Sequence, residues 1–235
     1  VKILVACEYS GTVRDAFIRN GHEAVSCDLL PTESEGPHFS GDVLEKLGEG
    51  WDMMIAFPPC TYLCSSGLHW NKRVPGRQLE TDKAISFVEK LLSAPIKKIA
   101  IENPIGCISS RIRKPDQIIQ PWQFGHPESK QTCLWLKNLP NLEPTKILSS
   151  PAWVKCEDCE DFFCKIHNEH VADCKCKGIE WWEARGKNPY FEGGRWENQT
   201  PSGQNKLGPS ADRWKIRSKT YLGIAEAMAH QWGAL

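Results

Sequence analysis

The chain lacks any run approaching the roughly 18 consecutive apolar residues of a membrane-spanning helix. Its opening, VKILVACEYSG, is too short and wrongly flanked for a secretory signal, so a soluble intracellular protein with no membrane partner is expected. Net charge is also missing: 29 lysines and arginines balance 29 aspartates and glutamates. That balance neither demands nor excludes an anionic partner, because a local patch would be enough. The GxGxxG fingerprint is absent, which disfavours close packing of a pyrophosphate and hence a nicotinamide-dependent oxidoreductase. There is no internal repeat and no low-complexity tract, and 235 residues suit one α/β-sized domain, alone or with a small appendage. Cysteines number 11 but are not laid out as a secreted disulfide framework. Six are scattered in or beside apolar runs, and the other five crowd between Cys156 and Cys176.

What is present is an alternation of strand and helix patterns. Lys2 to Ala6 reads as a strand and Cys7 to Gly11 as a turn. Thr12 to Asn20 reads as a helix with Val13, Ala16 and Phe17 on one face, and Glu23 to Cys27 as a second strand ending in Asp28. This is the start of a βαβ nucleotide-binding unit, and an acid at the end of its second strand suits ribose hydroxyls. Residues 31–50 read as loop plus a short helix around Gly41-Asp42-Val43, and residues 65–78 as a polar, basic loop. Thr81 to Ser93 is expected to be an amphipathic helix capped by Thr81. Further strands are expected at Lys98 to Ile101 and Gln131 to Leu136, with a closing helix from Gly223 to Trp232. The alternation argues for a mainly parallel sheet with helices on both faces.

The centre of the pattern is DMMIAFPPCTYLC, Asp52 to Cys64. Met53 to Phe57 is an uninterrupted apolar run of the kind that forms a strand buried on both faces. Pro58 and Pro59 stop it, since neither can donate a ladder hydrogen bond. Cys60 then stands at the carboxyl edge of a central sheet, where open α/β folds bind ligands. It is a candidate nucleophile; the alternative is a small buried hydrophobe beside a turn. Cys64 reads as a packing cysteine. Lys98 to Ile101 likewise ends in Glu102-Asn103-Pro104, where the proline is expected to end the pairing.

Pro-Pro-Cys and Glu-Asn-Pro at two strand ends separated by one helix resemble the catalytic motifs of the DNA (cytosine-5) methyltransferase family. The resemblance runs in order: Tyr9-Ser10-Gly11 is similar to the first motif and Asp28 to the strand-two acid. Gly41-Asp42-Val43 is similar to the adenine-contacting loop, and Ser218 to Ala229 to the closing motif. The short form with a cysteine-rich insert is most similar to small phage or prophage members. The family implies a Rossmann-like S-adenosylmethionine-dependent methyltransferase fold and a flipped cytosine in DNA as substrate. It implies Cys60 as the thiolate that adds to carbon 6 and Glu102 as the group facing ring nitrogen 3. Tyr9, Ser10, Gly11 and Pro58 would lie at the cofactor, with Asp28 on the ribose and Asp42 on the adenine; the lesser alternative for Asp28 or Asp42 is a cap of a following turn. The cytoplasm of a bacterial or phage-infected cell and a monomer are the matching expectations. Three features depart from the family. Thr61 follows Pro-Pro-Cys where most members have glutamine. The strand at Gln131 lacks the usual arginine pair, Lys130 being the nearest basic residue. The motif ahead of the closing one is missing, although Arg213 and Arg217 are candidates for part of it.

The crowded cysteines read Cys156-x2-Cys159-x4-Cys164-x2-His167-x2-His170-x3-Cys174-x-Cys176. Zinc takes four Cys or His ligands in a closed tetrahedral site, and CxxC and CxxH knuckles present them. Structural zinc held among Cys156, Cys159, Cys164, His167, Cys174 and Cys176 is the expectation. The stretch from Lys155 to Cys176 has six acids against three lysines, so it suits a staple better than a phosphate binder. DNA contacts are expected beside it, from Trp181, Trp182, Arg185, Lys187 and Arg195. The expected division is a catalytic core over 1–141, the zinc-binding insert and recognition lobe over 142–212, and a segment returning to the core over 213–235. Two competing readings keep the same residues. One is transfer of a different group, such as carboxymethyl, to a pyrimidine carbon 5. The other is a catalytically idle zinc-containing DNA-binding module.

Overall fold

In the computed structural model, residues 1–148, 196–199 and 205–235 are described, together with the backbone of 153–155, 162–164 and 169–170. The chain divides into two compact units. The first comprises Val1–Ile119, Gln131–Glu143 and Lys219–Leu235; the second comprises Gln120–Lys130 and Pro144–Ser218.

The first unit is built on a seven-stranded sheet. Its strands in chain order are β1 (Lys2–Ala6), β2 (Glu23–Asp28), β3 (His38–Ser40), β4 (Met53–Ala56), β5 (Lys98–Pro104), β6 (Gln117–Ile119) and β7 (Thr132–Lys137). Their spatial order is β3-β2-β1-β4-β5-β7-β6. The four pairings from β3 through β5 are parallel, and β7 runs antiparallel between β5 and β6. Ile3, Leu4, Val5 and Ala6 of β1 and all four residues of β4 are completely buried, as continuous apolar runs in the middle of a parallel sheet require.

The helices of this unit are α1 (Thr12–Arg19), α2 (Ser65–Leu68), α3 (Arg77–Leu92), α4 (Ile108–Arg111) and, after the second unit, α6 (Leu222–Gly233). Chain direction reverses at the centre: β1 passes through α1 to β2 on one side, and β4 passes through α3 to β5 on the other. Right-handed crossovers therefore put α1 and α3 on opposite faces. Ile85, Val88 and Leu91 of α3 pack with Leu4, Ala6, Met54, Ala56, Ile99 and Ile101. Ile3, Val5, Met53 and Ile55 alternate to the other face and are equally buried; α6 packs along α1 there. No helix among the described residues is long and apolar enough to cross a membrane.

Several boundaries differ from expectation. Helix α3 begins at Arg77, after Gly76 in the left-handed region, so Thr81 is not its cap. Thr81 is buried inside the helix and donates its hydroxyl to the Tyr62 carbonyl at 3.1 Å. Gln78, Leu79 and Glu80 are good helix formers, and nothing before Thr81 interrupts them. The basic loop after Cys64 holds α2 and a 3-10 turn, His69–Lys72. Strands β3 and β6, three residues each, are too short to show a periodicity. Strand β5 runs on past Ile101, where parallel pairing with β4 stops: Glu102, Asn103 and Pro104 continue opposite Leu134, Cys133 and Thr132 of β7, and the pairing ends at Pro104 as expected. A proline is tolerated at a strand's last residue, where its missing donor breaks no ladder.

In the second unit, β8 (Trp153–Lys155), β9 (Phe162–Cys164) and β10 (Glu169–His170) form a small antiparallel sheet. Trp122 stacks on Trp196 with centroids 6.1 Å apart, and α5 (Arg213–Ser218) lies at the end of this unit.

Candidate active site

The carboxyl ends of β2, β1, β4 and β5 lie side by side, and each carries polar residues singled out in the sequence. At the end of β1, Cys7 takes a left-handed conformation (φ 57°), uncommon for a residue with a Cβ and a sign of a constrained turn. Gly11 follows with φ 75°, and a Cβ there would overlap the Ser34 hydroxyl and the Arg14 guanidinium. Glycine is thus needed twice over at this point, for its backbone angle and for its missing side chain.

Glu8 was not anticipated. It is 5% exposed and caps α1: its carboxylate accepts from the Val13 N–H at 2.6 Å, the Arg14 N–H at 3.3 Å and the Ser10 hydroxyl at 3.3 Å. Burial raises its pKa from 4.5 to about 7, against the lowering effect of those bonds. An acid just ahead of a helix start was the available signal. Arg14, fully buried, donates to Ser26, Thr32, Ser34 and the Glu35 carbonyl, and pairs with Asp15 at 2.7 Å. It thereby pins the loop that follows Asp28. Lys219 pairs with Glu33 at 2.5 Å, and Glu33 in turn donates its N–H to the Tyr9 carbonyl.

Asp28 and Asp42 each use one oxygen locally, accepting from the N–H groups of Leu30 and Leu44, both at 2.9 Å. These are the turn-capping bonds that their alternative reading required. Both acids lie near the ends of β1 and β2: burial first, then these two carboxylates, push the Cys27 thiol up to about 11, and burial first, then Asp28, Cys27 and Asp42, push Cys7 up further.

Across the switch point, Asn103 links the two motif-bearing strands. It is 1% exposed, and its side-chain N–H donates to the Pro58 carbonyl at 2.7 Å, while its Oδ1 is buried without a hydrogen-bond partner among the described residues. Glu102 is half-buried in β5, opposite Leu134, and its carboxylate contributes, after burial, to raising Cys133 to about 11. Cys60 is exposed at the head of a single turn, its carbonyl accepting from the N–H groups of Leu63 (3.0 Å) and Cys64 (2.9 Å). Arg77 donates to the Thr61 carbonyl at 3.1 Å, so α3 holds this turn from its far side.

Cys64 is not the packing cysteine expected from its sequence. It is half-buried outside the hydrophobic core and bonds with the Ser66 hydroxyl at 3.2 Å. A hydrogen bond from the Cys60 thiol, joined by those of Ser66 and the Gly67 N–H, lowers its pKa to about 5 against the opposing effect of burial. The C-x3-C spacing was the signal: one turn brings both side chains to the same side.

Around this turn lies an aromatic and basic surface. Trp70 is 45% exposed with Arg73 over its ring at 5.6 Å, and Arg77 sits over Tyr62 at 4.8 Å. Cys156, Cys159, His167, Cys174 and Cys176, like Trp181, Trp182, Arg185, Lys187 and Arg195, lie outside the described residues; Cys164 is described as backbone, in β9. Among the described residues no group of three or more His, Cys, Asp or Glu is placed to hold a metal ion.

No family model and no curated protein matches the chain. Among solved structures it is similar to a chain described as a DNA modification methyltransferase encoded within a prophage (E. coli). Identity is 12% and the TM-score 0.39, covering 63% of this chain and 52% of that one. It is also similar to a mutant of Spodoptera frugiperda DNMT2, at 17% identity and a TM-score of 0.37, covering 63% and 54%. The chain thus spans about half the length of each.

Proposed function

We propose that this protein is an S-adenosylmethionine-dependent methyltransferase that modifies carbon 5 of cytosine in DNA, with Cys60 as nucleophile. One observation carries the reading: Pro-Pro-Cys and Glu-Asn-Pro end adjacent parallel strands at one sheet edge and are joined by the Asn103–Pro58 hydrogen bond.

The chemistry needs both residues. Carbon 5 of cytosine is too weak a nucleophile to take a sulfonium methyl unaided. Addition of the Cys60 sulfur at carbon 6 converts the ring to an enamine, which makes carbon 5 reactive; once carbon 5 carries the methyl, a base takes its proton and the carbon 6–sulfur bond breaks, freeing Cys60. Glu102 faces ring nitrogen 3 and stabilises the charge that develops there. Cys60 must give up its proton to add, and Cys64 beside it, its thiol lowered to about 5 by the Cys60 thiol, is the adjacent group able to take that proton. S-adenosylmethionine, when bound, supplies the electrophilic methyl group. Tyr9, Ser10 and Gly11 would lie along it, with Pro58 beside them. Asp28 and Asp42 would take ribose and adenine with the carboxylate oxygens their turns leave over. The Lys219–Glu33 pair complements a zwitterionic amino-acid end.

The target base has to leave the DNA stack to reach Cys60, at a cost of a few kcal/mol. The exposed Trp70 and Arg73 suit unstacked bases and phosphates. Structural zinc held among Cys156, Cys159, Cys164, His167, Cys174 and Cys176 belongs to the same proposal.

The test is DNA carrying 5-fluorocytosine, incubated with the protein and S-adenosylmethionine and read by intact mass. Fluorine cannot leave as a proton does, so a covalent adduct bearing one added methyl is expected and should vanish in Cys60→Ser. An adduct of another added mass would replace the methyl donor. No adduct on any single- or double-stranded DNA, despite cofactor binding, would end the reading.

A further inference from the structure

We propose that Cys60 and Cys64 form a peroxide-sensitive thiol pair that closes into a reversible disulfide. The modification itself is independent of the methyltransferase reading; its consequence, removal of the nucleophile, rests on that reading.

The geometry is that of one turn. The Leu63 and Cys64 N–H groups donate to the Cys60 carbonyl, which puts the two side chains on the same side with Cβ atoms about 5–6 Å apart. The Cys60 side chain is also the neighbour that most lowers the Cys64 thiol, as two thiols lying close together do. A disulfide needs Cβ atoms about 3.5–4.5 Å apart, so closure asks for a shift of roughly an ångström or two.

The two ends are unequal in a useful way. Cys64 is anchored: it bridges Gly106, the Ser65 N–H donates to the Ile105 carbonyl at 3.0 Å, and the Cys107 N–H donates to the Leu63 carbonyl at 2.8 Å. Cys60 lies in an exposed, irregular turn that can give. Arg77 is the nearby cation, and Ser66 and the Gly67 N–H complete the surroundings of Cys64. Cys107 also lies near Cys64, but it is buried and its thiol is raised by that burial, so it is the weaker partner.

The step balances with hydrogen peroxide as oxidant. The thiolate sulfur attacks one peroxide oxygen, the O–O bond breaks, sulfur loses two electrons to become a sulfenic acid, and hydroxide leaves. The partner thiol then attacks that sulfur; the S–S bond forms, the S–O bond breaks, and the thiol proton departs with the hydroxyl as water. A dithiol reductant reverses the closure.

The sequence supplies a clean readout. Tryptic peptide 47–72 contains Cys60 and Cys64 and no other cysteine, and Cys107 falls in peptide 99–111. The full-length protein is treated with a few equivalents of hydrogen peroxide, then alkylated, digested and mapped. Peptide 47–72 should be lighter by two hydrogens, carry no alkyl group, and regain both alkylation sites after dithiothreitol. In Cys64→Ser, Cys60 should instead gain two or three oxygens that dithiothreitol cannot remove; Cys60→Ser should do the same at Cys64. Three results would overturn the proposal. One is irreversible oxygen at Cys60 of the wild type while Cys64 still alkylates. Another is a cross-link between peptides 47–72 and 99–111. The third is an unchanged peptide at doses that oxidise free glutathione.

Discussion

Glu8 shows at the level of one side chain what an α/β turn without GxGxxG substitutes for it. Instead of backbone wrapped around a phosphate, a buried carboxylate takes the first free N–H groups of α1. Its pKa is raised from 4.5 to about 7, so the folded chain holds a proton there that the unfolded chain releases at lower pH. Stability from this group is therefore full below about pH 4.5 and lost as pH rises through about 7, an effect of about 3 kcal/mol for that displacement. Denaturant unfolding at pH 5 and pH 8 should show a larger loss for the wild type than for Glu8→Gln, which cannot ionise. Equal losses would mean that the capping N–H groups hold Glu8 ionised throughout. In the sequence Glu8 is one acid in a turn. Only its burial gives it this role, and burial depends on α1 folding back over the end of β1.

At the scale of elements, the site is two strands and a knot. β4 ends at two prolines and β5 carries Glu102 and Asn103, and the Asn103 amide ties them together. Asn103→Ala would leave the buried Pro58 carbonyl without its donor, costing about 1–3 kcal/mol of stability. By loosening Cys60 against Glu102 it should also slow adduct formation with 5-fluorocytosine DNA roughly 10–100-fold. Unchanged adduct kinetics in a destabilised variant would restrict Asn103 to holding the fold. The strands β1 and β4 were legible because continuous burial demands continuous apolar sequence. The three-residue β3 and β6 were not, since so short a segment carries no periodicity. The extension of β5 through Pro104 was hidden because it depends on β7 lying antiparallel beside it, a long-range pairing.

For the whole molecule, the reversal of chain direction between β1 and β4 collects residues from positions 7 to 102 at one edge, where doubly wound sheets leave a crevice. The second unit carries the proposed zinc staple. Metal analysis of the full chain should find at least one zinc. Its removal by chelator should weaken DNA binding while leaving cofactor affinity within about twofold, the outcome when the metal staples a recognition lobe. A metal-free protein with undiminished DNA binding would refute that. The sequence by itself determined the alternation of buried strands and helices, the two strand-end motifs and the clustered ligand spacing. These are local patterns, set by which residues can be buried and where prolines stop a ladder. Only the tertiary structure decided that Glu8 is a buried cap and that Asn103 holds the Cys60 loop. It alone decided that Cys64 lies beside Cys60 instead of in the core and that α3 starts before Thr81. Each of these depends on which distant segment arrives beside the residue, and that is fixed by packing.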